Sequence, residues 1–236
     1  MKIFIDAGHG GTDSGAVSGN LVEKNMNLIC AKGAEMFLKK YGQEVKLSRT
    51  DDRYLSLTER ANLANEWGAN IFLSCHFNAG GGKRGEVIHS INDGNGKILA
   101  ETIAKSLKKH GQEEVRTYSK ASSGGGDYFT VVAKTNMPAV IIEPCFIDSA
   151  DKDFADTEDK QWNIGVEIAK GVLDYLKVSY EEEKMAELIS VNDIVYELKI
   201  RGIITDSELW LKKLEEDKNA YWLAKKAIYY VRKAGI

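Results

Sequence analysis

The stretch KIFIDAGHGG, residues 2–11, joins a short apolar run to a glycine-rich loop that contains a histidine. A short apolar run bounded by polar residues and glycine is typical of a strand buried in an α/β protein. The same arrangement occurs in IFLSCHFNAG at 71–80 and in AVIIEPC at 139–145. A side chain suited to acid–base chemistry or metal binding follows each run at once or within a few residues: His9, His76 and Glu143.

Helical segments separate these three strands. Residues 23–40 carry apolar side chains at helical spacing, and Ser56 followed by Glu59 is a capping box that opens another helix. The pattern further predicts strands at 43–47 and 86–91 and helices at 98–109 and 162–176. Strands that alternate with helices predict an α/β fold, with an open, twisted, mostly parallel sheet flanked by helices on both faces.

The glycines divide the chain into two parts. Twenty of the 22 glycines lie in residues 1–178, and the last 58 residues contain only two. This tail is rich in Glu, Lys, Leu and Ala, which favour helices, and its apolar spacing predicts three short helices. We therefore expect an α/β domain over residues 1–178 and a small all-α domain over residues 179–236.

Composition excludes several classes of protein. The 32 Lys and Arg against 35 Asp and Glu give a net charge of −3, unlike a polycation that binds nucleic acid. No apolar run reaches the roughly 18 residues that would predict membrane insertion. Three widely spaced cysteines, Cys30, Cys75 and Cys145, favour reduced thiols over a disulfide framework. The N-terminal apolar patch is too short for a signal-peptide core, which predicts synthesis in the cytoplasm without a signal peptide.

The polar side chains that follow the strands suggest a metal centre. Because ligands bind at the carboxyl ends of strands in open α/β sheets, we expect His9, His76 and Glu143 at one edge. Glu23 opens the next helix and should lie nearby. Two imidazoles and a carboxylate suit a catalytic zinc that keeps one position for water, and Glu143 suits the general base. Each residue alone also has a purely structural interpretation: a turn histidine, a helix-start carboxylate or a solvated strand end.

Five segments of the α/β domain carry a family resemblance: IDAGHGGTDSGA (5–16), Glu23, SRTDDRYLSLTERANLAN (48–65), SCHFNAG (74–80) and MPAVIIEPCFI (137–147). In this order they resemble the zinc-dependent N-acetylmuramoyl-L-alanine amidases of the type-3 family. These enzymes occur in phage endolysins and in bacterial sporulation and cell-separation systems. The resemblance spans essentially the whole domain, so it implies the family's open, twisted α/β sheet.

The resemblance also implies a reaction and the residues that perform it. His9, Glu23 and His76 match the family's ligands for Zn²⁺, and Glu143 matches its catalytic glutamate. The implied reaction hydrolyses the amide between the lactyl group of N-acetylmuramic acid and the L-alanine of the peptidoglycan stem peptide. Glu143 would take a proton from the attacking water and deliver it to the leaving amine.

Other residues near the predicted edge receive smaller roles. Asn78 and Gly10 are candidates for substrate binding. Cys75 and Cys145 stand where the family commonly has a small or β-branched residue and a glycine, and we interpret them as packing variants. The polar stretch from Thr117 to Asp127 is expected to form a loop over the substrate groove, and the alternative is a plain flexible loop with no contact to substrate.

The tail suggests a binding module. It contains seven of the 21 aromatic residues, more than so small a bundle can bury, while its charge is balanced at 10 Lys and Arg against 11 Asp and Glu. Exposed aromatics favour a cell-wall-targeting module, and the alternative is homo-oligomerisation through the tail. The codons of residues Glu181 to Lys184 can read as a purine-rich ribosome-binding sequence just ahead of Met185. This suggests an internal translation start at Met185.

The implied partner is peptidoglycan, with neither nucleic acid nor membrane insertion. Because no export signal is predicted, we expect a phage endolysin that reaches the cell wall through a holin lesion or after lysis. The alternative is a bacterial sporulation or autolytic amidase. Two rivals belong to other classes: a Cys-dependent wall peptidase with Cys75 or Cys145 as nucleophile, and a catalytically silent peptidoglycan-binding protein.

Overall fold

A computed structural model describes residues 1–180 together with residues 209–210 and 212–213 of the tail. The chain divides into two units, Met1–Tyr180 and Glu181–Ile236. The three-helix arrangement predicted for the tail and the proposed start at Met185 lie outside the described residues, and the four described tail residues are helical. None of the helices in the described part of the chain combines the length and the apolar character that a membrane span requires.

The first unit contains short strands and longer helices in alternation. The strands are β1 Lys2–Ala7, β2 Val17–Ser18, β3 Leu21–Val22, β4 Glu44–Leu47, β5 Ile71–Cys75, β6 Gly85–His89, β7 Val115–Ser119 and β8 Ala139–Glu143. The helices are α1 Glu23–Lys40, α2 Leu57–Trp67, α3 Asn95–Lys109, α4 Thr130–Lys134 and α5 Glu158–Tyr175. The capping box predicted at Ser56 and Glu59 is present, because each residue's side chain accepts from the other's backbone N–H.

Six strands form one mixed sheet in the order β4-β1-β5-β8-β6-β7. The four strands β4, β1, β5 and β8 run parallel to one another. Strand β6 pairs antiparallel with β8, and β7 pairs parallel with β6. The prediction of an open, mostly parallel α/β sheet is confirmed, with a single reversal of direction between β8 and β6.

Helices cover both faces of this sheet, because the inner strands are apolar on both sides. Alternate residues of β1 show the division, since Ile3 and Ile5 pack into one core and Phe4 into another. The larger core contains the buried faces of α1, α3 and α5, and the smaller one those of α2 and α4. The sheet is thus the middle of three layers, and its carboxyl edge is left open to present polar side chains.

The segment from Thr117 to Asp127 corrects one expectation from the sequence. Its first residues belong to β7, which runs opposite to β8, so the loop leaves the sheet at the edge away from Glu143. Asp127 fixes it there by accepting hydrogen bonds from the Ser90 hydroxyl at 2.8 Å and the Ile91 N–H at 2.7 Å. The loop therefore does not cover the groove at the carboxyl edge of β1, β5 and β8.

Candidate metal centre and active site

Three predicted metal ligands meet at the carboxyl edge of β1 and β5. Ligand atoms of His9, Glu23 and His76 all lie within 4.8 Å of one another. Glu23 Oε1 is 3.2 Å from His9 Nε2 and 2.9 Å from His76 Nδ1. The two imidazole rings lie edge to face with their centroids 4.8 Å apart. Residues 14 to 67 positions apart in sequence thus form one compact cluster of two nitrogens and a carboxylate oxygen.

Glycines in the loop after β1 allow this close approach. A Cβ atom on Gly8 would lie 2.3 Å from the His76 ring, and one on Gly15 would lie 2.5 Å from Glu23 Oε2. Gly15 also has a φ of +63°, which favours glycine. The glycines noted in the sequence therefore make room for the candidate ligand side chains.

His9 is oriented by a neighbouring carboxylate. Its Nδ1 lies 2.8 Å from Asp13 Oδ2, which leaves Nε2 facing Glu23 and the rest of the cluster. A carboxylate behind a ligand histidine fixes the ring and its tautomer, and such partners are common around protein metal sites. Asp13 lies within the motif 5–16, but its sequence context alone predicts no role for it.

Glu23 is buried and held by backbone donors. Its Oε2 accepts from the Ala16 N–H at 2.8 Å, and its Oε1 accepts from the Phe77 N–H at 3.2 Å. Burial by itself would raise the pKa of this carboxyl group. Hydrogen bonds from His76 and His9, with the charges of both rings, outweigh burial and hold the pKa of Glu23 well below its ordinary value. Glu23 is therefore ionised and rigidly held, as a metal ligand would need to be.

Glu143 ends β8 beside the cluster. Its pKa is raised to about 7, mainly by burial, with the charges of Glu86 and Glu23 acting in the same direction and His76 opposing them. The Asn78 amide donates to Glu143 Oε2 at 2.7 Å. A carboxyl group with a pKa near neutrality can both accept and donate a proton at physiological pH.

The two candidate substrate-binding residues make contacts within the protein. The Asn78 side chain donates to Glu143, and its Oδ1 accepts from the Ala79 N–H at 2.8 Å. Gly10 exchanges backbone hydrogen bonds with Asp13, and a Cβ there would lie 2.2 Å from the Arg53 carbonyl oxygen. These contacts show how each residue supports the site, and their roles in substrate binding stay predictions.

Two buried arginines that the sequence analysis left without a role fix the histidine loop. Arg49 donates to the carbonyl oxygens of Ala7 and Gly8, at 2.9 and 3.0 Å. Arg60 pairs with the buried Asp6 at 2.6 Å and donates to the His9 carbonyl oxygen at 2.8 Å. Both arginines lie in the motif at 48–65. This motif resembles the family's, but the sequence does not indicate what its side chains contact.

The thiols give no support to a cysteine nucleophile. Cys30, Cys75 and Cys145 are free and buried. A hydrogen bond with Cys75 and burial raise the pKa of Cys30, and burial raises that of Cys145 well above its ordinary value. Reactive cysteines have the opposite character, with a lowered pKa and an accessible thiolate.

Two histidines and a carboxylate beside a second carboxylate of raised pKa are the arrangement of a metal-dependent hydrolase. A comparison with protein families is more specific, because the model described as N-acetylmuramoyl-L-alanine amidase matches residues 3–174. The chain belongs to this family. The cluster and the motifs noted in the sequence lie within the matched residues, which also cover almost all of the sheet and its helices.

Individual relatives agree with the family assignment. The chain is 40% identical over 152 residues to the sporulation-specific N-acetylmuramoyl-L-alanine amidase of Bacillus subtilis, a match covering 63% of this chain and 57% of that protein. It is 36% identical over 159 residues to an endolysin of Bacillus phage SPP1, covering 64% and 56%. The chain thus spans less than two thirds of the length of these relatives.

A solved structure shows the same fold. The catalytic domain of CwlV, an N-acetylmuramoyl-L-alanine amidase from Bacillus (Paenibacillus) polymyxa, matches with a TM-score of 0.65 and 32% sequence identity. The match covers 75% of this chain and 99% of that domain. The catalytic domain of that amidase therefore corresponds to the first unit described above.

Proposed function

We propose that this chain hydrolyses the amide bond between N-acetylmuramic acid and the L-alanine that begins the peptidoglycan stem peptide. The observation that carries the proposal is the cluster of His9, Glu23 and His76 beside Glu143, within a domain that belongs to the amidase family. Neither the cluster nor the family membership alone would specify both the chemistry and the bond.

The donor set fits zinc. Two imidazole nitrogens and one carboxylate oxygen within 4.8 Å of one another are the ligands of a catalytic zinc site that keeps a position for water. Glu23 is ionised and His9 is oriented by Asp13, so both are prepared to bind a cation. When bound, Zn²⁺ would polarise the scissile carbonyl and lower the pKa of the attacking water.

Glu143 performs the proton transfers. As a carboxylate it accepts a proton from the attacking water, and as a carboxylic acid it gives that proton to the nitrogen of the departing L-alanine. Asn78 engages Oε2, so we assign the transferred proton to Oε1. A pKa of about 7 places the two protonation states close in free energy, which favours both transfers.

Digestion of purified cell walls tests the proposal. New amino termini of L-alanine without new reducing sugar ends are expected, whereas new reducing ends would refute the amidase assignment. Glu143→Gln should abolish the release of L-alanine termini while the variant still binds one equivalent of zinc. A silent peptidoglycan-binding protein would show no release with either chain, and a Cys-dependent peptidase would survive chelation but not thiol alkylation.

For the biological setting we propose lysis of a bacterial host by a phage endolysin, supported by the similarity to the endolysin of Bacillus phage SPP1. The sporulation amidase relative, at 40% identity, supports the alternative of a sporulation or autolytic enzyme. Rates on vegetative walls and on spore cortex separate an endolysin from a cortex-degrading sporulation enzyme. An endolysin should prefer vegetative walls, and a clear preference for cortex would favour the sporulation enzyme.

A further inference from the structure

Glu86 is a buried carboxylate that the proposed mechanism does not use. It lies on β6 in register with Glu143 on the neighbouring antiparallel strand β8, and the residue is only 6% exposed. Burial of one carboxylate beside another is costly unless the charge is paired and hydrogen-bonded. The contacts that Glu86 makes therefore indicate what it does at this position.

Both oxygens of Glu86 accept hydrogen bonds from side chains around the active site. Oε1 accepts from Arg84 Nε at 2.6 Å. Oε2 accepts from the Tyr118 hydroxyl and from Asn78 Nδ2, each at 3.2 Å. The Arg84 guanidinium itself lies over the Phe146 ring, 5.1 Å from its centroid. Glu86 is thus held on several sides and has one oxygen directed to Asn78.

The Asn78 amide connects the two carboxylates. Its Nδ2 donates to Glu143 Oε2 at 2.7 Å and to Glu86 Oε2 at 3.2 Å. An amide nitrogen has two protons and a carboxylate only accepts, so this NH₂ group has one proton for each partner. Its oxygen accepts from the Ala79 N–H at 2.8 Å, which fixes the plane of the amide. Rotation of Asn78 would therefore break contacts on every side.

We propose that Glu86 is a positioning residue for amide hydrolysis, and that it holds the Glu143 carboxylate in one orientation through the Asn78 amide. The inference rests on the proposed function, because Glu143 is the base of that reaction. A reacting group that moves by about 1 Å can cost roughly 100-fold in rate, so a tethered base is a large advantage. In this network Asn78 positions Glu143, a role that requires no contact with substrate.

The simpler alternative is that Glu86 only forms a structural ion pair with Arg84. A second glutamate provides the matched control, because Glu114 pairs with Arg116 at the same spacing of two residues and the same distance, 2.6 Å. That pair is exposed and has no contact with Asn78. Glu86→Gln and Glu114→Gln therefore remove equivalent charges, one inside the network and one outside it.

Steady-state digestion of walls by the zinc-loaded chain distinguishes these roles. For Glu86→Gln we expect kcat to fall about 10- to 100-fold with KM within about twofold, since orientation of the base affects the chemical step. Glu114→Gln should match the wild type in both parameters. Glu86→Asp keeps the charge beside Arg84 but withdraws the oxygen from Asn78, so it should also lose kcat. A wild-type kcat in Glu86→Asp, with a normal unfolding temperature, would favour the ion pair.

A double-mutant cycle tests whether Glu86 acts through Asn78. If it does, Asn78→Ala and the Asn78→Ala/Glu86→Gln double variant should have the same kcat within about twofold. Losses that multiply would overturn the proposal.

The side-chain amide resonances of Asn78 supply a readout that is independent of activity. In Glu86→Gln they should shift and exchange faster with water, and in Glu114→Gln they should not. If the wild-type chain releases no L-alanine termini, the proposed function is wrong. An active wild type with an unchanged kcat and unchanged Asn78 resonances in Glu86→Gln would overturn only the role of Glu86.

Discussion

At the scale of single residues, the burial of Glu143 in the fold determines the pH dependence that we expect for the proposed reaction. Burial raises this pKa to about 7, whereas the charge of His76 opposes the rise. In the proposed mechanism this group must be deprotonated to accept a proton from water. We therefore expect kcat/KM to fall about tenfold per pH unit below the pKa that Glu143 has in the zinc-loaded chain, which the charge of the bound cation lowers, and to level off above it. Wall digestion measured from about pH 5 to 9 at constant zinc occupancy checks the profile. A flat profile on the acid side would assign the proton transfer to another group.

The pairing of Asp13 with His9 makes a prediction about metal affinity. Asp13→Asn removes the charge that faces His9 Nδ1 at 2.8 Å while keeping the size of the side chain. Loss of such a partner typically weakens metal binding by about 10- to 100-fold. Competition with a zinc chelator should show this loss. Asp156→Asn is the control, since Asp156 pairs with Lys160 on the surface at 2.7 Å and should leave zinc affinity unchanged.

The reactive side chains that stand at the ends of strands could be predicted from the sequence, whereas the buried polar networks could not. His9, His76 and Glu143 each leave a strand that is visible in the sequence, so their convergence follows from sheet geometry. The roles of Arg49 and Glu86 depend on carbonyl and amide groups from distant segments, which come together only in the folded chain. Their sequence surroundings carry no period or spacing that would reveal these partners.

At the scale of secondary-structure elements, the direction of β6 decides which loops can reach the site. The strands β1, β4, β5, β6 and β8 and the long helices were predicted close to their observed bounds, because buried strands and amphipathic helices have distinct periods. The short elements β2, β3, β7 and α4 were not predicted. The antiparallel pairing of β6 with β8 carries no such signal, since a buried strand has the same pattern in either direction. The loop after β7 was therefore assigned to the wrong edge of the sheet.

The contact between α1 and α5 makes a prediction about stability at this scale. A Cβ on Gly165 of α5 would lie 2.0 Å from the Cys30 carbonyl oxygen of α1, so alanine there must push the helices apart. Overpacking of this kind typically costs about 1–3 kcal/mol. Urea unfolding of Gly165→Ala should show a loss in that range.

A second helical glycine controls for helix propensity. Gly96 lies in α3, and a Cβ there would meet its nearest neighbour, the Ala139 carbonyl oxygen, at an ordinary 3.8 Å. Gly96→Ala should therefore leave stability unchanged or raise it by up to about 1 kcal/mol, because alanine favours helices over glycine. Equal losses in Gly96→Ala and Gly165→Ala would show that close packing of α1 and α5 is not the cause.

At the scale of the whole molecule, the first unit extends slightly beyond the boundary that glycine content predicts. The unit ends at Tyr180, whose ring meets those of Phe37 and Tyr41 at centroid distances of 6.0 and 6.1 Å. Aromatic pairs of this kind contribute about 0.5–1.5 kcal/mol each beyond their buried area. A chain that ends at Val178 should therefore unfold at a lower temperature than one that ends at Tyr180, as calorimetry would show.

The same truncation at Tyr180 separates the chemistry of the first unit from the role of the tail. Because the cluster and Glu143 lie within residues 1–180, the truncated chain should release L-alanine termini from soluble peptidoglycan fragments at the rate of the full chain. If the tail targets the cell wall, the truncated chain should no longer sediment with intact walls and should digest them more slowly. If the tail instead drives self-association, light scattering should show an oligomer for the full chain and a monomer after truncation, with wall sedimentation unchanged. Loss of activity on soluble fragments as well would mean that catalysis itself requires the tail, and the assignment of all catalytic groups to the first unit would then fail.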